Sequence, residues 1–198
     1  EKLLRFGDFT LKSGRNSPYY FNTGLCNSGS KLKSLADFYA NYIYQNKLNF
    51  DFIFGPAYKG ITLASSISLQ LNNVFSVDKL FSSNRKEEKK HGDVGNLIGS
   101  SLSGKGLIVD DVISSGSSIV ESINIIKKHN AKPTSVLVAL DRMELGKSTR
   151  ATFEIESENN IKVHSIINMN DIVNYLEKKE KDSDSFLRMK KYLDEFKR

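Results

Sequence analysis

The residues of this chain best suited to chemistry are two adjacent acids that precede a group of small residues. Asp110 and Asp111 follow a short apolar run, residues 107–109, and come just before residues 114–118. Carboxylates can accept hydrogen bonds from sugar hydroxyls or hold a magnesium-bound ligand. Small residues leave backbone N–H groups open at the start of a helix, where the partial positive charge suits phosphate. The segment indicates a phosphate-and-ribose site; a plain strand–turn–helix connection is the alternative.

The residues around the two acids predict a buried strand followed by a helix. Residues 107–109 are a β-branched-rich apolar run, typical of a parallel strand that is covered on both faces. Ser118 and Glu121 have the spacing of a capping box, which predicts the start of the helix. The apolar face of that helix is expected to contain Ile119, Ile123 and Ile126.

Strand and helix patterns alternate along the rest of the chain. Strands are predicted at residues 9–11, 19–21, 52–54, 74–77, 97–102, 135–140 and 162–167. Helices are predicted at residues 32–44, 61–71 and 151–158, and from Asp171 and Ser185 onward. The alternation predicts an α/β fold with a doubly wound, mostly parallel sheet and a small N-terminal lobe. Ligands bind such sheets at the carboxyl ends of the strands.

Two of the loops expected at those ends carry positive charge. Residues 55–60 have glycine at both ends and Lys59 between them, but they lack the order of a Walker A loop. Residues 84–96 are highly charged and include two glycines, so they suit a mobile lid that neutralises an anionic leaving group. A simple strand-to-helix turn and a solvated run of charges are the respective alternatives.

Two further segments could contact a flat, acidic ligand. Lys12 and Arg15 lie close in sequence to the aromatic residues 19–21, which could stack on an anionic ring. A small apolar core under a hairpin is the alternative. Arg142 follows a predicted strand, and its guanidinium could bind a carboxylate through two hydrogen bonds. A structural ion pair is equally consistent with that position.

Composition limits the classes of protein that this chain can belong to. Its 198 residues fit one domain, and 39% hydrophobic content can form a core. No apolar run approaches membrane-spanning length, and the charges of residues 1–6 do not match a signal peptide. One cysteine excludes an intrachain disulfide and fits a reducing, cytoplasmic setting. The net charge of +6 fits nucleic acid or a phosphate-rich small substrate.

Taken together, five stretches of the chain resemble the orotate phosphoribosyltransferases, a family of type I phosphoribosyltransferases. The resemblance covers essentially the whole chain and follows the family's order of motifs. The stretches read F-G-D-F-T-L-K-S-G-R-N-S-P-Y-Y-F-N (6–22), F-G-P-A-Y-K-G-I (54–61), N-R-K-E-E-K-K-H-G (84–92), L-I-V-D-D-V-I-S-S-G-S-S (107–118) and L-D-R-M-E (140–144).

The resemblance implies an activity and an assembly. The expected reaction is the Mg²⁺-dependent transfer of ribose 5-phosphate from phosphoribosyl diphosphate to orotate, as in pyrimidine synthesis. The type I phosphoribosyltransferase fold would form a single domain over residues 1–198, with residues 1–26 contributing to a hood. A homodimer with shared active sites is expected, and association with orotidylate decarboxylase is a further implied partnership.

The resemblance also implies roles for individual residues. Asp110 and Asp111 would hold the ribose hydroxyls, and the 5-phosphate would lie against Ser114, Ser115, Gly116, Ser117 and Ser118. The substrate site would be lined by Lys12, Tyr58 and Lys59, and orotate would contact Tyr20, Phe21 and Arg142. The mobile catalytic loop would contain Arg85, Lys86, Lys89 and His91. No direct metal ligand is expected, since Mg²⁺ would be held mostly by substrate and water.

One departure and three alternatives accompany this resemblance. The family often has Thr-Ala-Gly-Thr where this chain has residues 114–117, Ser-Ser-Gly-Ser. A phosphoribosyltransferase for purines would keep the diphosphate motif but lack the set around Lys12 and residues 19–21. A regulatory protein that binds phosphoribosyl diphosphate and controls nucleic acid is a second alternative. A half of a bifunctional enzyme with orotidylate decarboxylase is the third.

Overall fold

The computed structural model of the chain describes residues 3–11, 14–89, 95–181 and 183–195, with backbone alone at residues 88, 89 and 95. Two sheets are present in this part of the chain. The first is an antiparallel pair, β1 (Leu4–Thr10) and β2 (Asn16–Phe21). The second has six strands: β3 (Phe52–Phe54), β4 (Leu80–Lys89), β5 (Gly95–Gly99), β6 (Lys105–Ile113), β7 (Lys132–Asp141) and β8 (Lys162–Asn168).

Helices connect and cover the strands of the larger sheet. A short 3-10 turn, Thr23–Leu25, follows β2. The α-helices are α1 (Gly29–Gln45), α2 (Lys59–Phe75), α3 (Ser117–Lys128), α4 (Ala151–Asn159), α5 (Met169–Glu180) and α6 (Asp184–Glu195). Within the described ranges, no helix has both the length and the apolar character that a membrane span requires.

The order of strands in the larger sheet creates a binding crevice. That order is β5-β4-β3-β6-β7-β8, with β5 antiparallel to β4 and the other pairs parallel. From β3 the chain moves first to one side, to β4, and later to the other side, to β6. Such a reversal leaves a crevice at the carboxyl ends of the two central strands, where α/β proteins bind ligands. The carboxyl ends of β3 and β6 are therefore neighbours.

Side-chain alternation in the central strands confirms the doubly wound α/β prediction. Ile53 faces a core built with α1 and α2, while Phe52 and Phe54 face a second core that includes α3. The same alternation continues in β6 and β7, because successive residues of a strand point to opposite faces. Both faces of the sheet are covered, so its central strands read as continuous apolar runs.

A third core joins the N-terminal hairpin to the last two helices. Tyr19 of β2 is fully buried and packs in one cluster with Phe186, Met189 and Tyr192 of α6. Arg188 of α6 also contacts Asp8, in β1. The first and last described segments of the chain therefore form one packed unit beside β7.

Two sequence-based predictions about this sheet are wrong. Residues 74–77 are not a strand, because α2 continues to Phe75, whose ring stacks on Tyr44 with centroids 4.1 Å apart. Of the predicted loop, residues 84–89 and 95–96 are strand instead, because Asn84 pairs with Leu97 in the β4–β5 ladder and Lys89 pairs with Gly95. The charged side chains concealed this strand pairing, since antiparallel strands at a sheet edge tolerate polar residues that face water. The Leu80 start of β4 was also missed.

Candidate active site

Three segments meet on one carboxylate at the crevice between β3 and β6. Asp111 Oδ2 accepts a hydrogen bond from Lys59 Nζ at 2.8 Å and another from Thr23 Oγ1 at 2.7 Å. Lys59 is the first residue of α2, and Thr23 lies in the turn that follows the hairpin. The acid predicted to bind ribose is thus linked directly to Lys59, one of the residues predicted to line the substrate site.

Asp110 is held more deeply than its neighbour. Its Oδ1 accepts from the Asp111 backbone N–H at 2.9 Å, and its Oδ2 accepts from Ser118 Oγ at 2.9 Å. The buried hydroxyl of Tyr39 donates to the Asp110 carbonyl oxygen at 2.8 Å. Burial, followed by the negative charge of Asp111, raises the pKa of Asp110 to about 6. This carboxyl can therefore change its protonation state close to neutral pH.

The start of α3 corrects the predicted capping box. The helix begins at Ser117, and Gly116 occupies the N-cap position with a φ of 78°, a left-handed conformation that favours glycine. Ser118 does not cap, because its hydroxyl donates to Asp110 instead. Glycine has no side chain to bond the first N–H groups of the helix, and the first turn carries no acid. These donors can therefore face an anion.

The loop between β3 and α2 is closed by its two glycines. Added Cβ atoms at Gly55 and Gly60 would each collide with the backbone of the other residue. The glycines therefore allow the two ends of the loop to approach each other closely. Asn84 Oδ1 accepts from the Ala57 N–H at 2.8 Å. Tyr58, joined to Ala57 by a cis peptide bond, is 70% exposed.

The two aromatic residues assigned to orotate lie on different faces of β2. Tyr20 is exposed, and its ring packs on Phe9 with centroids 5.6 Å apart. Tyr20 also acts electrostatically on Lys59: burial lowers the pKa of that lysine, but Asp111, with a smaller effect of Tyr20, raises it overall. Phe21 points the other way and packs against the core clusters. The structure brings Tyr20, not Phe21, toward the acids and Lys59.

Arg142 lies in a buried polar network at the end of β7. Its Nε donates to Glu144 Oε1 at 2.6 Å, and its Nη2 donates to Ser17 Oγ at 2.9 Å. Tyr192 Oη donates to the same Glu144 oxygen at 2.6 Å. Arg142, Glu144 and Tyr192 are all buried. The structural ion pair that the sequence allowed as an alternative is therefore present, between Arg142 and Glu144. Contact of Arg142 with a ligand stays a prediction.

Several predicted site residues cannot be placed in full. Lys12 and His91 lie outside the described residues, and Lys89 is described by its backbone only. Lys86 is exposed on β4, and Arg85 Nε donates to the Leu97 carbonyl oxygen at 3.3 Å. The roles of these five residues stay predictions.

Two neighbouring cavities flank the site. The smaller, about 140 Å³, is lined by Thr23, Lys59 and Asp111 among others. The larger, about 400 Å³, is lined mostly by apolar side chains that include Phe21, Leu35 and Phe38. Phosphate requires cations and N–H donors, so of these two cavities the smaller one is better suited to phosphate.

Sequence reasoning missed five residues that shape the site: Thr23, Tyr39, Asn84, Glu144 and Tyr192. Tyr39 lies within the helix predicted at residues 32–44, and its ring packs in the core. Glu144 could have been suspected, since an acid two residues after Arg142 is a natural partner for it. Thr23, Asn84 and Tyr192 carry no local signal, because their partners are distant in the chain.

Comparison with known proteins agrees with this geometry. Residues 27–169 match the phosphoribosyl transferase domain family. The orotate phosphoribosyltransferase of Actinobacillus pleuropneumoniae serotype 5b is 47% identical over 195 residues, which cover 98% of this chain and 92% of that protein. The orotate phosphoribosyltransferase of Escherichia coli O139:H28 is 46% identical over 197 residues, covering 99% and 92% respectively.

Solved structures show the same relationship. An orotate phosphoribosyltransferase from Francisella tularensis superposes with a TM-score of 0.85 and 38% identity, covering 98% of this chain and 94% of that chain. A UMP synthase from Leishmania donovani shares the fold with a TM-score of 0.75 and 23% identity, and the match covers 40% of its length. The chain therefore belongs to the phosphoribosyl transferase family and, within that family, to the orotate phosphoribosyltransferases.

Proposed function

We propose that the enzyme transfers ribose 5-phosphate from phosphoribosyl diphosphate to orotate, in a reaction that depends on Mg²⁺. The bond between the anomeric carbon and the diphosphate oxygen breaks, and the bonding electrons leave with diphosphate. A ring nitrogen of orotate then forms the new bond to the anomeric carbon with inversion, and the proton that this nitrogen carried is released to diphosphate or water. The products are orotidine 5′-monophosphate and diphosphate, as pyrimidine synthesis requires.

The observation that carries this proposal is the joint position of the two acids and the start of α3. Asp110 and Asp111 lie near the carboxyl end of β6, and the N-cap residue of the helix that follows, Gly116, has no side chain to cap its first N–H groups. Ribose hydroxyls can donate to the carboxylates while the 5-phosphate accepts from the N–H groups of residues 115–118. Serine hydroxyls at 114, 115 and 117 can supply further donors, so the departure from the family's threonines would leave this chemistry intact.

Positive charge from two directions would stabilise the departing diphosphate. Lys59 lies at the site, 2.8 Å from Asp111, and it would exchange this partner for the diphosphate on substrate binding. Arg85, Lys86, Lys89 and His91 belong to the β4–β5 segment and would approach from the other side of the crevice. Cations placed where negative charge develops lower the barrier to reaction. Exclusion of water by this segment would protect the oxocarbenium-like ribose.

The two acids also fit a role for Mg²⁺. Adjacent carboxylates repel each other, which contributes to the raised pKa of Asp110, and a divalent cation nearby would stabilise both as anions. Within the described residues there is no group of three or more His, Cys, Asp or Glu side chains that could hold a metal alone. Mg²⁺ prefers about six oxygen ligands and retains several waters. Substrate oxygens and water would therefore complete its coordination, and the cation would offset negative charge on the diphosphate.

Orotate would bind between the hairpin and β7. Tyr20 offers an exposed ring on the side of Lys59, and Arg142 offers a guanidinium that suits the carboxylate of orotate. Lys12 and Phe21 are the remaining proposed contacts. A purine has no carboxylate, so the arginine network favours orotate over the purine alternative.

An assay of both substrates tests the proposal. Protein, Mg²⁺, phosphoribosyl diphosphate and orotate are mixed, and loss of orotate absorbance is followed together with diphosphate release. Turnover that requires all four components is expected. Turnover with a purine base and none with orotate would reject the proposed substrate, and saturable binding of phosphoribosyl diphosphate without turnover on any base would favour the regulatory alternative.

Assembly and location are part of the same proposal. We infer a cytoplasmic homodimer in which the β4–β5 segment of one protomer reaches the neighbouring site, and association with orotidylate decarboxylase as a further partnership. Mixing an inactive variant of the acids with an inactive variant of Lys89 should restore about a quarter of the activity if the sites are shared. A monomer that stays fully active at high dilution would contradict the sharing.

A further inference from the structure

Arg142 is held by segments that the general family match does not include. The match covers residues 27–169, whereas Arg15 and Ser17 precede that range and Tyr192 follows it. All three contact either Arg142 or its partner Glu144. The hairpin and α6 therefore meet at Arg142, the arginine proposed to bind orotate.

The contacts fix the plane of the Arg142 guanidinium. Arg142 Nε donates to Glu144 Oε1 at 2.6 Å, and Nη2 donates to Ser17 Oγ at 2.9 Å and to Tyr192 Oη at 3.4 Å. The Tyr19 ring covers one face of the group, with the guanidinium carbon 4.2 Å from the ring centroid. A guanidinium has five N–H donors, so the contacts given by the described residues orient Arg142 without using all of its donors.

The charges of this network suit an anionic ligand. Glu144 is buried, and both Arg142 and Arg15 pair with it, at 2.6 Å and 3.5 Å. Two guanidinium groups thus converge on one buried carboxylate. The Asp141 carboxylate accepts from the Met143 N–H and interacts with Arg150. The N–H donors of Arg142 that the described residues leave unused can therefore meet a ligand carboxylate.

One buried hydroxyl marks the same place. Tyr19 Oη is buried and has no hydrogen-bond partner among the described residues. Its ring packs edge-on against Tyr192, with centroids 6.0 Å apart, and face-on against Arg142. Buried polar atoms are nearly always bonded to protein, water or ligand. The orphaned hydroxyl therefore indicates a polar group, from water or from ligand, beside the network.

We propose that Tyr192 and Glu144 are positioning residues that orient Arg142 toward the carboxylate of the base, so that α6 contributes to selection of an acidic pyrimidine. The proposal rests on the proposed function, because it assumes that Arg142 binds orotate. Tyr192 donates to Glu144 and accepts from Arg142, and both bonds restrain the guanidinium. Loss of the Tyr192 hydroxyl would leave the ring, and hence the packing of α6, in place.

Tyr192→Phe tests the proposal. We expect the KM for orotate to rise about fivefold to tenfold, since bonds to charged groups are the stronger ones. The KM for phosphoribosyl diphosphate should remain close to wild type, while loss of the bond to buried Glu144 should lower the melting temperature by roughly a few degrees. The matched control is Tyr175→Phe on α5, an exposed tyrosine, which should change neither KM.

A double-mutant cycle separates positioning from general stability. In an Arg142→Lys background, which keeps the charge but loses the planar fork, Tyr192→Phe should change the KM for orotate less than twofold. Equal effects in both backgrounds would overturn the proposal, as would a joint rise of both KM values with a lower melting temperature. No turnover of orotate by wild type would reject the proposed function and this inference together. Normal wild-type turnover with an unchanged Tyr192→Phe KM would reject this inference alone.

Discussion

The sugar-phosphate half and the base half of the site are built in opposite ways. The first consists of contiguous residues, Asp110 and Asp111 followed by the turn into α3, and its phosphate donors are backbone groups. The second consists of single side chains from distant segments: Ser17 and Arg142 are 125 positions apart in the chain, and Arg142 and Tyr192 are 50 apart. Under the proposed function, a local motif would bind the sugar phosphate and a dispersed network would bind the base.

The two halves also differ in how they treat charge. In the sugar-phosphate half two like charges are adjacent, and burial with Asp111 raises the pKa of Asp110. In the base half each buried charge has an opposite partner, as Glu144 has in Arg142. The first arrangement leaves carboxylates that hydroxyls or Mg²⁺ can stabilise, whereas the second holds a recognition group in a defined orientation. The following substitutions test this division.

Asp111→Asn should have the largest effect and should be confined to the sugar-phosphate half. It weakens the bonds from Lys59 and Thr23 and removes a charge needed near ribose and Mg²⁺. We expect kcat/KM for phosphoribosyl diphosphate to fall about 100-fold, the scale seen when a group that stabilises transition-state charge is lost. Steady-state kinetics with Asp78→Asn, an exposed acid, as control would measure this. A fall of less than fivefold would contradict the assigned role.

Arg142→Lys should act on the base half alone. Lysine keeps the positive charge but lacks the planar fork that meets a carboxylate and Glu144 together. We expect the KM for orotate to rise about 10- to 30-fold, equivalent to about 1.4–2 kcal/mol, with the KM for phosphoribosyl diphosphate within twofold. If both KM values rose in parallel, the halves would not be separable as described.

Asp110→Asn should stabilise the fold at neutral pH. The pKa of Asp110 is raised in the folded protein, so this carboxyl stabilises the fold fully below about pH 4. That stabilisation is lost as the pH rises through about 6. Asparagine does not ionise in this pH range. We therefore expect the free energy of unfolding of the variant to exceed that of wild type by about 1–3 kcal/mol at pH 7 and by little at pH 4. Urea unfolding at pH 4, 5, 6 and 7 would check this. A difference that does not vary with pH would refute the charge argument.

Asn84→Ala should have the smallest effect, and it should act through the loop between β3 and α2, residues 55–60. The side chain accepts from the Ala57 N–H at 2.8 Å, and its removal leaves that donor without its partner. We expect the KM for phosphoribosyl diphosphate to rise about threefold to tenfold, since such a bond contributes about 0.5–1.5 kcal/mol. Asn84→Asp keeps an acceptor and should restore most of the affinity. No difference between the two variants would show that the bond does not position the loop.

The sequence predicted the local half of the site better than the dispersed half. Residues 107–118 were expected to form a strand, then two acids, then a helix start; the structure confirms the strand and the helix start, but β6 continues past both acids to Ile113. The capping box failed because Ser118 bonds Asp110 instead of a helix N–H. Ser118 and Glu121 do have the spacing of a capping box. That spacing cannot show whether the serine hydroxyl bonds a helix N–H or a nearby carboxylate. The missed strand pairing of residues 84–89 has a similar cause, since charged side chains at a sheet edge look like those of a loop.

The sequence by itself determined the alternation of strands and helices, the acids at Asp110 and Asp111, and the family to which the motifs belong, because these depend on residues close together in the chain. Only the tertiary structure decided that Thr23 and Lys59 share Asp111, that Asn84 holds the loop between β3 and α2, and that Tyr192 reaches Arg142. Such pairs form when the sheet and the third core bring distant segments together. No local pattern encodes them, since their energies arise from burial and geometry that exist only in the folded chain.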